Sequence, residues 1–411
     1  MATADVIVVG LGAMGSAACF QLAARGASVI GIDQYEPPHE LGSTHGDTRM
    51  TRLAVGEGAE YVPLVRRSHQ LWREIERLAG VELLTQCGGL VLAEAGNPFL
   101  EQTRALAQEY GVAHENLTPG ELAERFPMFA AGPETVAYRE LGSGYVRPER
   151  AVAAQLDLAR RHGVTLRLGE RVEEWAVGGS GVRVRTSAAV HTADRLILCA
   201  GPWMPALFPP SGDILAVHRQ VFYWFPIRRG YEQLRDMPVF VWEFGGDRDA
   251  FTHLRGFYGF PAVDGAGGGL KVGTEVYEET TRPDGRQHPA SRAEAEAMYA
   301  DYIADRLPWL GPQPVRTRSC LYTNAHGNRF LIDRHPEHDA VLVVSPCSGH
   351  GFKHSPAIGE AVAQWALDGA TDLDLTPFAL AQAVRRSPRP GAPGARSAGR
   401  PAAASRRSEA G

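Results

Sequence analysis

The apolar and polar positions of the first 33 residues predict a strand, a turn, a helix and a second strand. Residues 6–9 are all aliphatic, and residues 28–32 are apolar apart from one serine and one glycine. Between them lie a glycine-rich segment, residues 10–15, and a run of helix-forming residues, 16–25. Buried parallel strands appear as continuous apolar runs, and a tight turn with a helix connects two of them. We therefore predict that the chain begins with a βαβ unit.

The pattern then alternates between helical and extended segments. Apolar residues recur at helical spacing in residues 62–79, 99–110 and 150–162, which predicts three amphipathic helices. From about residue 164 the chain changes to short strands in which apolar and polar residues alternate. Residues 195–199 form an apolar run that fits a buried parallel strand. Helices combined with parallel strands indicate the α/β class.

The second half of the chain predicts an inserted domain. Residues 218–275 contain aromatic-rich strands separated by glycine and aspartate turns, which is typical of an antiparallel sheet. An apolar run at residues 340–344, followed by a helical stretch at 356–367, returns to the strand-then-helix pattern of the N-terminus. The predicted nucleotide-binding domain is therefore discontinuous and comprises residues 1–84, 147–217 and 322–384. The inserted α+β domain comprises residues 85–146 and 218–321, with a mostly antiparallel sheet.

Length and charge restrict the function further. A chain of 411 residues exceeds the size at which one hydrophobic core keeps growing, which agrees with two domains. The net charge is −5, but residues 385–411 contain seven arginines and one glutamate, so the rest of the chain carries −11. An acidic body argues against nucleic acid as a partner. The arginine-rich tail contains no large apolar residue, and we expect it to be disordered.

Neither a membrane span nor a metal site is predicted. No apolar run reaches the roughly 18 residues that a membrane helix needs. The N-terminus lacks the basic region and the cleavage site of a signal peptide, so we expect a cytoplasmic protein. The five cysteines are scattered, without a Cys-x-x-Cys pair or a cluster with histidine, which argues against both a disulfide framework and a zinc site.

The glycine-rich turn predicts a dinucleotide site. Gly10, Gly12 and Gly15 form a GxGxxG motif that follows a strand and opens a helix. Glycines at these positions permit a tight turn and let the backbone approach a pyrophosphate at the helix N-terminus. Asp33 ends the next strand, where a carboxylate accepts hydrogen bonds from the adenosine ribose. At this point FAD and NAD both remain possible.

Four ordered motifs carry a resemblance to a known family. They are Gly42-Ser-Thr-His45-Gly-Asp-Thr-Arg49-Met-Thr-Arg52, Ser319-Cys320-Leu-Tyr322-Thr323, the run at 330–338 and Ser348-Gly-His-Gly-Phe-Lys353. Together they resemble the monomeric sarcosine oxidase family, which includes N-methyltryptophan oxidase and pipecolate oxidase. The likeness runs from about residue 4 to about residue 380. It implies a Rossmann-like FAD domain of the glutathione-reductase type with a substrate domain over the flavin.

The resemblance also implies how FAD is held. In the family a cysteine forms a thioether to the flavin, and the matching residue is Cys320. A reactive thiolate needs positive neighbours, and Arg316 and Arg318 precede it, although a buried structural cysteine is the usual state. The other implied cofactor residues, beyond the three motif glycines and Asp33, are Met14, His45, Arg49, Tyr322, Thr323, Ser348, Gly349, Gly351 and Lys353.

Further residues are implied at the substrate. Arg52 and Lys353 match the family's pair for the substrate carboxylate, and we expect Arg49 and Arg52 to lie on one helix or turn and point the same way. The alternative is a solvated basic surface. Lys271 matches the lysine that promotes attack by oxygen, and Tyr258 matches a pocket tyrosine, although a strand lysine is more often exposed and a sheet aromatic more often core. Glu275 stands where sarcosine oxidases carry a histidine, and its carboxylate could hold an ammonium group or recognise a polar side chain.

These residues predict FAD-dependent oxidation of a secondary amino acid, N-methyl or cyclic, to an imine that water hydrolyses. Molecular oxygen would be the acceptor and hydrogen peroxide the product, and we expect a monomer without a metal site. Two alternatives stay open: an FAD-dependent dehydrogenase or biosynthetic tailoring enzyme, and a flavin-binding protein without turnover.

Overall fold

A computed structural model describes residues 2–179, 181–212, 214–244, 256–275, 280–285 and 288–385. The strands are β1 (Ala2–Val9), β2 (Val29–Asp33), β3 (Arg49–Thr51), β4 (Leu84–Thr85), β5 (Gly89–Glu94), β6 (His114–Leu117), β7 (Thr135–Glu140), β8 (Gly144–Val146), β9 (Thr165–Leu168), β10 (Val172–Gly178), β11 (Gly181–Thr186), β12 (Val190–Leu198), β13 (Leu215–Phe225), β14 (Val239–Glu243), β15 (Gly256–Gly259), β16 (Leu270–Thr274), β17 (Arg316–Ala325), β18 (Leu331–His335) and β19 (His338–Ser345). The α-helices are α1 (Ala13–Ala24), α2 (Val62–Ala79), α3 (Pro98–Glu109), α4 (Pro119–Arg125), α5 (Pro148–Arg161), α6 (Met204–Leu207), α7 (Tyr231–Asp236), α8 (Arg292–Met298), α9 (Ser355–Asp368) and α10 (Leu380–Arg385).

The first sheet is built around parallel strands. Strands β9, β2, β1, β12 and β19 lie side by side in parallel, and β18 adds an antiparallel edge next to β19. The first half of β12 also pairs with β11, which pairs with β10 in an antiparallel extension. The predicted βαβ unit and the predicted parallel strand at residues 195–199 are thus confirmed, with β12 ending at Leu198.

Helices α1, α2, α5 and α9 cover one face of this sheet and bury its aliphatic side chains. Helix α1 crosses α9 closely because α9 carries Gly359, where a Cβ atom would overlap Ala17. The three predicted amphipathic helices correspond to α2, α3 and α5. On the opposite face of the sheet a second apolar cluster includes Val182 and Val184 of β11.

The second sheet has the strand order β17-β13-β16-β15-β14-β5-β7-β6. Its neighbours are antiparallel except for β14 and β5, which run parallel. A small third sheet joins β3, β8 and β4. The predicted fold class is confirmed: a Rossmann-like domain is combined with an α+β part whose sheet is mostly antiparallel. The domain boundaries remain a prediction.

Within the described part of the chain, none of the helices is both long and apolar enough to cross a membrane. The predicted disordered tail, residues 385–411, lies outside the described residues except for Arg385, the last residue of α10.

Candidate active site

A cavity of about 670 Å³ lies between the two large sheets. At one end it is lined by the turn after β1, the end of β2 and the segment after β19. At the other end it is lined by β14, β15, β16 and the residues around β3. Such a volume suits a large cofactor together with a small substrate. We call these regions the dinucleotide end and the substrate end.

The dinucleotide end is shaped by glycines. Gly10 has φ +87°, and a Cβ atom there would overlap the carbonyl oxygen of Cys199, which directly follows the neighbouring strand β12. A Cβ atom on Gly15 would overlap the carbonyl oxygen of Gly10, so α1 can start close to β1 only because Gly15 has no side chain. Gly12 and Met14 line the cavity, whereas Gly15 lies behind them. The backbone at the start of α1 is therefore accessible to a pyrophosphate.

Asp33 lies at the end of β2 and lines the same end of the cavity. Its Oδ2 accepts from the N–H of Leu11 at 2.7 Å, and its Oδ1 accepts from the N–H of Tyr35 at 2.9 Å. Burial raises the pKa of Asp33, and these two backbone bonds partly oppose that effect. The remaining acceptor capacity of the carboxylate suits ribose hydroxyls.

The segment after β19 forms the opposite wall. Ser348 has φ +38°, and its hydroxyl donates to the carbonyl oxygen of Arg329 at 2.5 Å and accepts from the N–H of Ala325 at 3.2 Å. Gly349 has φ +79°, and a Cβ atom on Gly351 would overlap the carbonyl oxygen of Pro346. All three residues line the cavity. The glycine cradle, the strand-end carboxylate and this wall together fit an FAD molecule.

One face of the second sheet presents the side chains of the substrate end. Successive strand residues point to opposite faces. On β14, Val241 and Glu243 therefore face the cavity, while Phe240 and Trp242 pack into the core beside α8. Cross-strand pairs lie on the same face, and the pairing continues from β14 through β15 and β16 to β13 and β17. The residues on this face include Glu243, Tyr258, Lys271, Phe222, Cys320 and Tyr322.

Lys271 is buried, with 3% of its surface exposed, and therefore differs from the usual strand lysine. Its Nζ donates to the carbonyl oxygens of Gly46 at 2.5 Å and Thr48 at 2.7 Å, and lies 4.3 Å from the ring centre of Phe222. Burial, and then the charge of Arg49, lower the pKa of Lys271 well below its ordinary value. The three contacts fix the amino group at the cavity wall.

Cys320 lies behind the wall and does not line the cavity. Burial raises the pKa of its thiol to about 11, and Arg49, whose Nη2 lies 3.7 Å from Sγ, offsets part of that rise. The prediction that Arg316 and Arg318 provide the positive charge near the Cys320 thiol is wrong, because these arginines form ion pairs with Asp47 and Glu40, respectively. The positive neighbours of the thiol are Arg49 and Lys271.

Arg52 and Lys353 meet at the substrate end around Glu57. Nη2 of Arg52 donates to both carboxylate oxygens of Glu57, at 2.8 and 3.0 Å, and Nζ of Lys353 lies 3.3 Å from Oε1. Arg52 is 6% exposed and Lys353 4%, so the pair is not a solvated basic surface. Burial alone would raise the pKa of Glu57, but Arg52 and Lys353 hold it well below its ordinary value.

The predicted helix or turn through Arg49 and Arg52 is wrong. Arg49 is the first residue of β3, and Arg52 directly follows that strand. Side chains three residues apart along an extended segment project to opposite sides of it. The guanidinium of Arg49 turns to the carbonyl of Ser43 at 2.9 Å and stacks over Phe222 at 4.8 Å. Arg52 instead lies over Phe99 at 5.2 Å. Both still line the cavity, at separate points.

Tyr258 and Tyr322 line the cavity together, with their hydroxyls 3.3 Å apart. Gly273 makes room for Tyr258, since a Cβ atom there would lie 2.7 Å from the hydroxyl. Burial raises the pKa of both tyrosines, so both remain neutral donors. Glu275 also lines the cavity and is exposed, which places it where the cavity opens to solvent.

Besides Gly15 and Cys320, two further predicted cofactor residues, His45 and Thr323, do not line the cavity. His45 is buried against Phe222, and both ring nitrogens lack a hydrogen-bond partner among the described residues. Burial and the nearby charge of Arg49 lower its pKa to about 3, which keeps the ring neutral. Thr323 likewise lies behind the wall, where its carbonyl oxygen accepts from the N–H of Ser348 at 3.0 Å.

Sequence reasoning missed two carboxylates at the substrate end of the cavity, Glu57 and Glu243. Glu57 follows the Arg49–Arg52 motif by five residues, so its charge could have been paired with Arg52 in advance. Glu243 ends an aromatic strand in which every second residue is apolar and buried, and alternation alone would have placed it opposite that core.

Residues 5–365 match the family described as FAD dependent oxidoreductase. The chain belongs to this family. The most similar curated proteins include a monomeric sarcosine oxidase of Streptomyces avermitilis, 38% identical over 372 residues that cover 90% of this chain and 95% of that protein. An N-methyl-L-tryptophan oxidase of Yersinia pestis is 33% identical over 379 residues, or 92% of this chain and 99% of that protein. The resemblance carried by the four motifs is thus confirmed, and the protein is an FAD-dependent oxidoreductase.

Solved structures share the fold at lower identity. NikD, described as an unusual amino acid oxidase essential for nikkomycin biosynthesis, superposes with a TM-score of 0.79 at 24% identity, covering 92% of this chain and 98% of that one. The L-proline dehydrogenase from P. horikoshii gives a TM-score of 0.76 at 20% identity, covering 92% and 97%. These likenesses support the fold of this family member.

Proposed function

We propose that the protein oxidises a secondary amino acid, N-methyl or cyclic, at the C–N bond to give an imine that hydrolyses, with oxygen as the acceptor and hydrogen peroxide as the product. The observation that carries the proposal is the position of two buried cations, Arg52 and Lys353, in the cavity that begins at the dinucleotide cradle. The names of the sarcosine and N-methyltryptophan oxidases are consistent with such a substrate.

A substrate carboxylate suits the charges around Glu57. Arg52 and Lys353 contribute two positive charges and Glu57 one negative charge, which leaves one positive charge for an anionic ligand. Nε and Nη1 of Arg52 are buried and have no hydrogen-bond partner in the described structure. A guanidinium presents donors in a fixed fork that matches a carboxylate. The substrate would therefore place its carboxylate against Arg52 and Lys353.

The remaining residues have separate roles in this proposal. Bound FAD supplies the two-electron acceptor for the C–N bond and returns the electrons to oxygen. Lys271 holds a buried donor at the wall, where a positive charge favours the reduction of oxygen. Arg49 contacts the same wall, and Tyr258 offers a neutral hydroxyl to the substrate. Glu275 lies at the cavity mouth, within reach of an ammonium group.

The test is turnover of a panel comprising N-methylglycine, larger N-methyl amino acids and cyclic imino acids, followed by peroxide formation in air and by loss of flavin colour without oxygen. Peroxide formation with at least one member is expected. Bleaching without oxygen but slow recovery in air would identify a dehydrogenase or tailoring enzyme. The absence of bleaching with every member would contradict the proposal and favour a flavin-binding protein without turnover.

Covalent attachment of FAD through Cys320 is the second part of the proposal. It is supported by the sequence motif and by Arg49, 3.7 Å from the thiol. Cys347, which does line the cavity, provides the matched control. After acid precipitation, yellow colour is expected in the pellets of wild type and Cys347→Ser and in the supernatant of Cys320→Ser. Colour released by wild type would mean noncovalent FAD, and release only by Cys347→Ser would assign the bond to the other cysteine.

The monomeric state and the cytoplasmic location are retained as predictions. Size-exclusion chromatography with light scattering tests the first, and cell fractionation tests the second.

A further inference from the structure

The chain uses lysine only at the cavity. Of its 42 lysine and arginine residues, two are lysines, Lys271 and Lys353, and both line the cavity. An arginine is effectively always charged and has a broad planar head, whereas a lysine amine is compact and can lose its proton when buried. A chain that otherwise uses arginine therefore has a compact, titratable amine at position 271. The groups that control the proton on this amine are part of the site.

The amine of Lys271 is held by one tight turn, residues 46–48. Nζ donates to the carbonyl oxygens of Gly46 and Thr48. The N–H of Thr48 bonds back to the carbonyl oxygen of Gly46 at 2.8 Å, and Asp47 between them has φ +69°. A three-residue turn with a positive φ at a central residue other than glycine is uncommon and strained, so it persists only where its surroundings hold it.

Glu149 holds the opposite side of this turn. It lies in the first turn of α5, and its Oε1 accepts from the N–H of Gly46 at 2.6 Å and from the N–H of Asp47 at 3.1 Å. The N–H groups of the turn thus point to a carboxylate, while its carbonyl groups point to the amine of Lys271. Hydrogen bonds arranged in such a chain polarise one another. Glu149 itself does not line the cavity, so it can act on the site only through its neighbours.

Most surroundings of Lys271 disfavour its charged form. Burial, and then the charge of Arg49, lower the pKa of Lys271 well below its ordinary value. His45 and Cys320 also lie near it, but burial lowers the imidazole pKa to about 3 and raises the thiol pKa to about 11, so both are neutral at neutral pH. Its ring contacts are the uncharged aromatics Phe222, Trp224 and Phe260. The amine therefore needs nearby negative charge to keep its proton.

Two carboxylates, Asp47 and Glu149, act against burial and raise the pKa of Lys271. Asp47 forms an ion pair with Arg316, which offsets its charge. Among the described residues Glu149 bonds to the turn, and no arginine or lysine is in ion-pair contact with it. The charge of Glu149 is therefore the one that acts across the turn without a paired cation of its own.

We propose, building on the function above, that Glu149 is a positioning residue for Lys271. Through the turn at residues 46–48 it fixes the amine at the cavity wall, and its charge keeps the amine in the ammonium form. That form favours the reaction of oxygen with reduced flavin, because a positive charge stabilises the developing negative charge on oxygen. Glu149 should therefore matter for flavin reoxidation and much less for flavin reduction by the substrate.

The first test follows the protonation of the two lysines directly. Protein isotopically labelled at the lysine Cε atom gives two NMR signals, and Lys271→Met identifies the one that belongs to Lys271. In FAD-loaded Glu149→Gln, Lys271 should lose its proton at lower pH than in wild type, because the amide keeps the shape of the carboxylate but not its charge. Lys353 is the internal control, since the charges that act on it most strongly are those of Glu57 and Arg52.

A second variant separates charge from shape. Glu149→Asp keeps the charge but shortens the side chain, so its Lys271 titration should stay closer to wild type than that of Glu149→Gln. A purely structural role predicts the reverse order, because a glutamine oxygen can still accept from the turn. Asp157→Asn, which removes a carboxylate of the same helix that is 49% exposed, should leave the titration unchanged. An unchanged Lys271 titration in Glu149→Gln would overturn the inference.

Rapid mixing of reduced enzyme with oxygen tests the consequence for the reaction. At a pH between the two Lys271 midpoints, reoxidation of Glu149→Gln should be at least about threefold slower than that of wild type, a modest value for the loss of one nearby charge. Reduction by substrate without oxygen should change little. In a Lys271→Met background, Glu149→Gln should alter reoxidation by less than about twofold, because the two residues act as one unit. Equal slowing with and without Lys271 would also overturn the inference.

These measurements fail separately from the proposed function. If reduced wild type reacts only slowly with oxygen, the oxidase function is contradicted, yet the lysine titration still shows whether Glu149 sustains the charge of Lys271. If peroxide forms with a substrate of the panel but the titration does not move, the proposed function stands and the role of Glu149 is refuted.

Discussion

The two ends of the cavity are built in different ways. The dinucleotide end depends on missing side chains: Gly10, Gly15 and Gly351 permit backbone contacts that any Cβ atom would block. The substrate end depends on charged side chains that come from distant segments of the chain, including Arg52, Glu243 and Lys353. Backbone contacts of this kind leave no room for a side chain, whereas a charged side chain can be replaced without blocking the backbone. Mutations at the two ends should therefore have different effects on cofactor binding and on substrate turnover.

The largest effect is expected at the dinucleotide end. In Gly15→Ala the new methyl group overlaps the carbonyl oxygen of Gly10, which should cost about 3 kcal/mol or more because backbone atoms cannot move aside cheaply. The protein should lose flavin colour and melt at lower temperature. Gly120→Ala, in α4 with open space around it, is the control. Full retention of flavin by Gly15→Ala would show that this end tolerates side chains after all.

A smaller but still large effect is expected at Arg52, which we propose binds the substrate carboxylate together with Lys353. Arg52→Met leaves Glu57 paired with Lys353 alone and should lower kcat/KM by about 30- to 5000-fold, since loss of one partner of a buried charge pair costs about 2–5 kcal/mol. The flavin spectrum should remain close to wild type, unlike that of Gly15→Ala. Arg292→Gln, whose side chain is 84% exposed, is the control. Unchanged kcat/KM in Arg52→Met would contradict a role for Arg52 in binding the substrate carboxylate.

Lys271 lies at the substrate end, and its replacement should affect the two half-reactions, flavin reduction and flavin reoxidation, differently. Lys271→Met should slow reoxidation of reduced flavin by oxygen about 100-fold, as expected for loss of a buried charge donor. Reduction by substrate without oxygen should change much less. Rapid mixing measures the two steps separately. Equal slowing of both would assign Lys271 a structural role through its bonds to Gly46 and Thr48.

The smallest effect is a pH dependence confined to the substrate end. Burial, and next the charge of Glu275, raise the pKa of Glu243 from 4.5 to about 8, while Arg52 lowers it and Glu57 raises it. The carboxyl of Glu243 is therefore largely protonated at neutral pH and ionises only as the pH approaches 8.

The stability of the folded protein should depend on the raised pKa of Glu243. A carboxyl group with a raised pKa is easier to ionise in the unfolded chain, so wild type should lose stability relative to Glu243→Gln as pH rises from about 4.5 to 8. Melting temperatures of the two proteins across this range provide the measurement. Parallel curves would show that Glu243 is ionised without penalty in the folded protein.

The sequence by itself determined the features that are local in the chain. The βαβ unit, Asp33 at the strand end and the glycine turn lie within 33 residues, so periodicity and turn chemistry predict them directly. The family and FAD followed from four contiguous motifs. These features depend on short-range sterics and backbone geometry, which a single segment specifies.

Only the tertiary structure decided which charges meet. Arg316 and Arg318 precede Cys320 in sequence, yet Arg49, 271 residues away, lies beside its thiol. Glu57 and Lys353 are 296 residues apart and share an ion pair, and Glu243 became visible as a cavity carboxylate only once β14 was placed in its sheet. Electrostatic interactions depend on distance and burial, and both are set by strand register and packing across the whole chain.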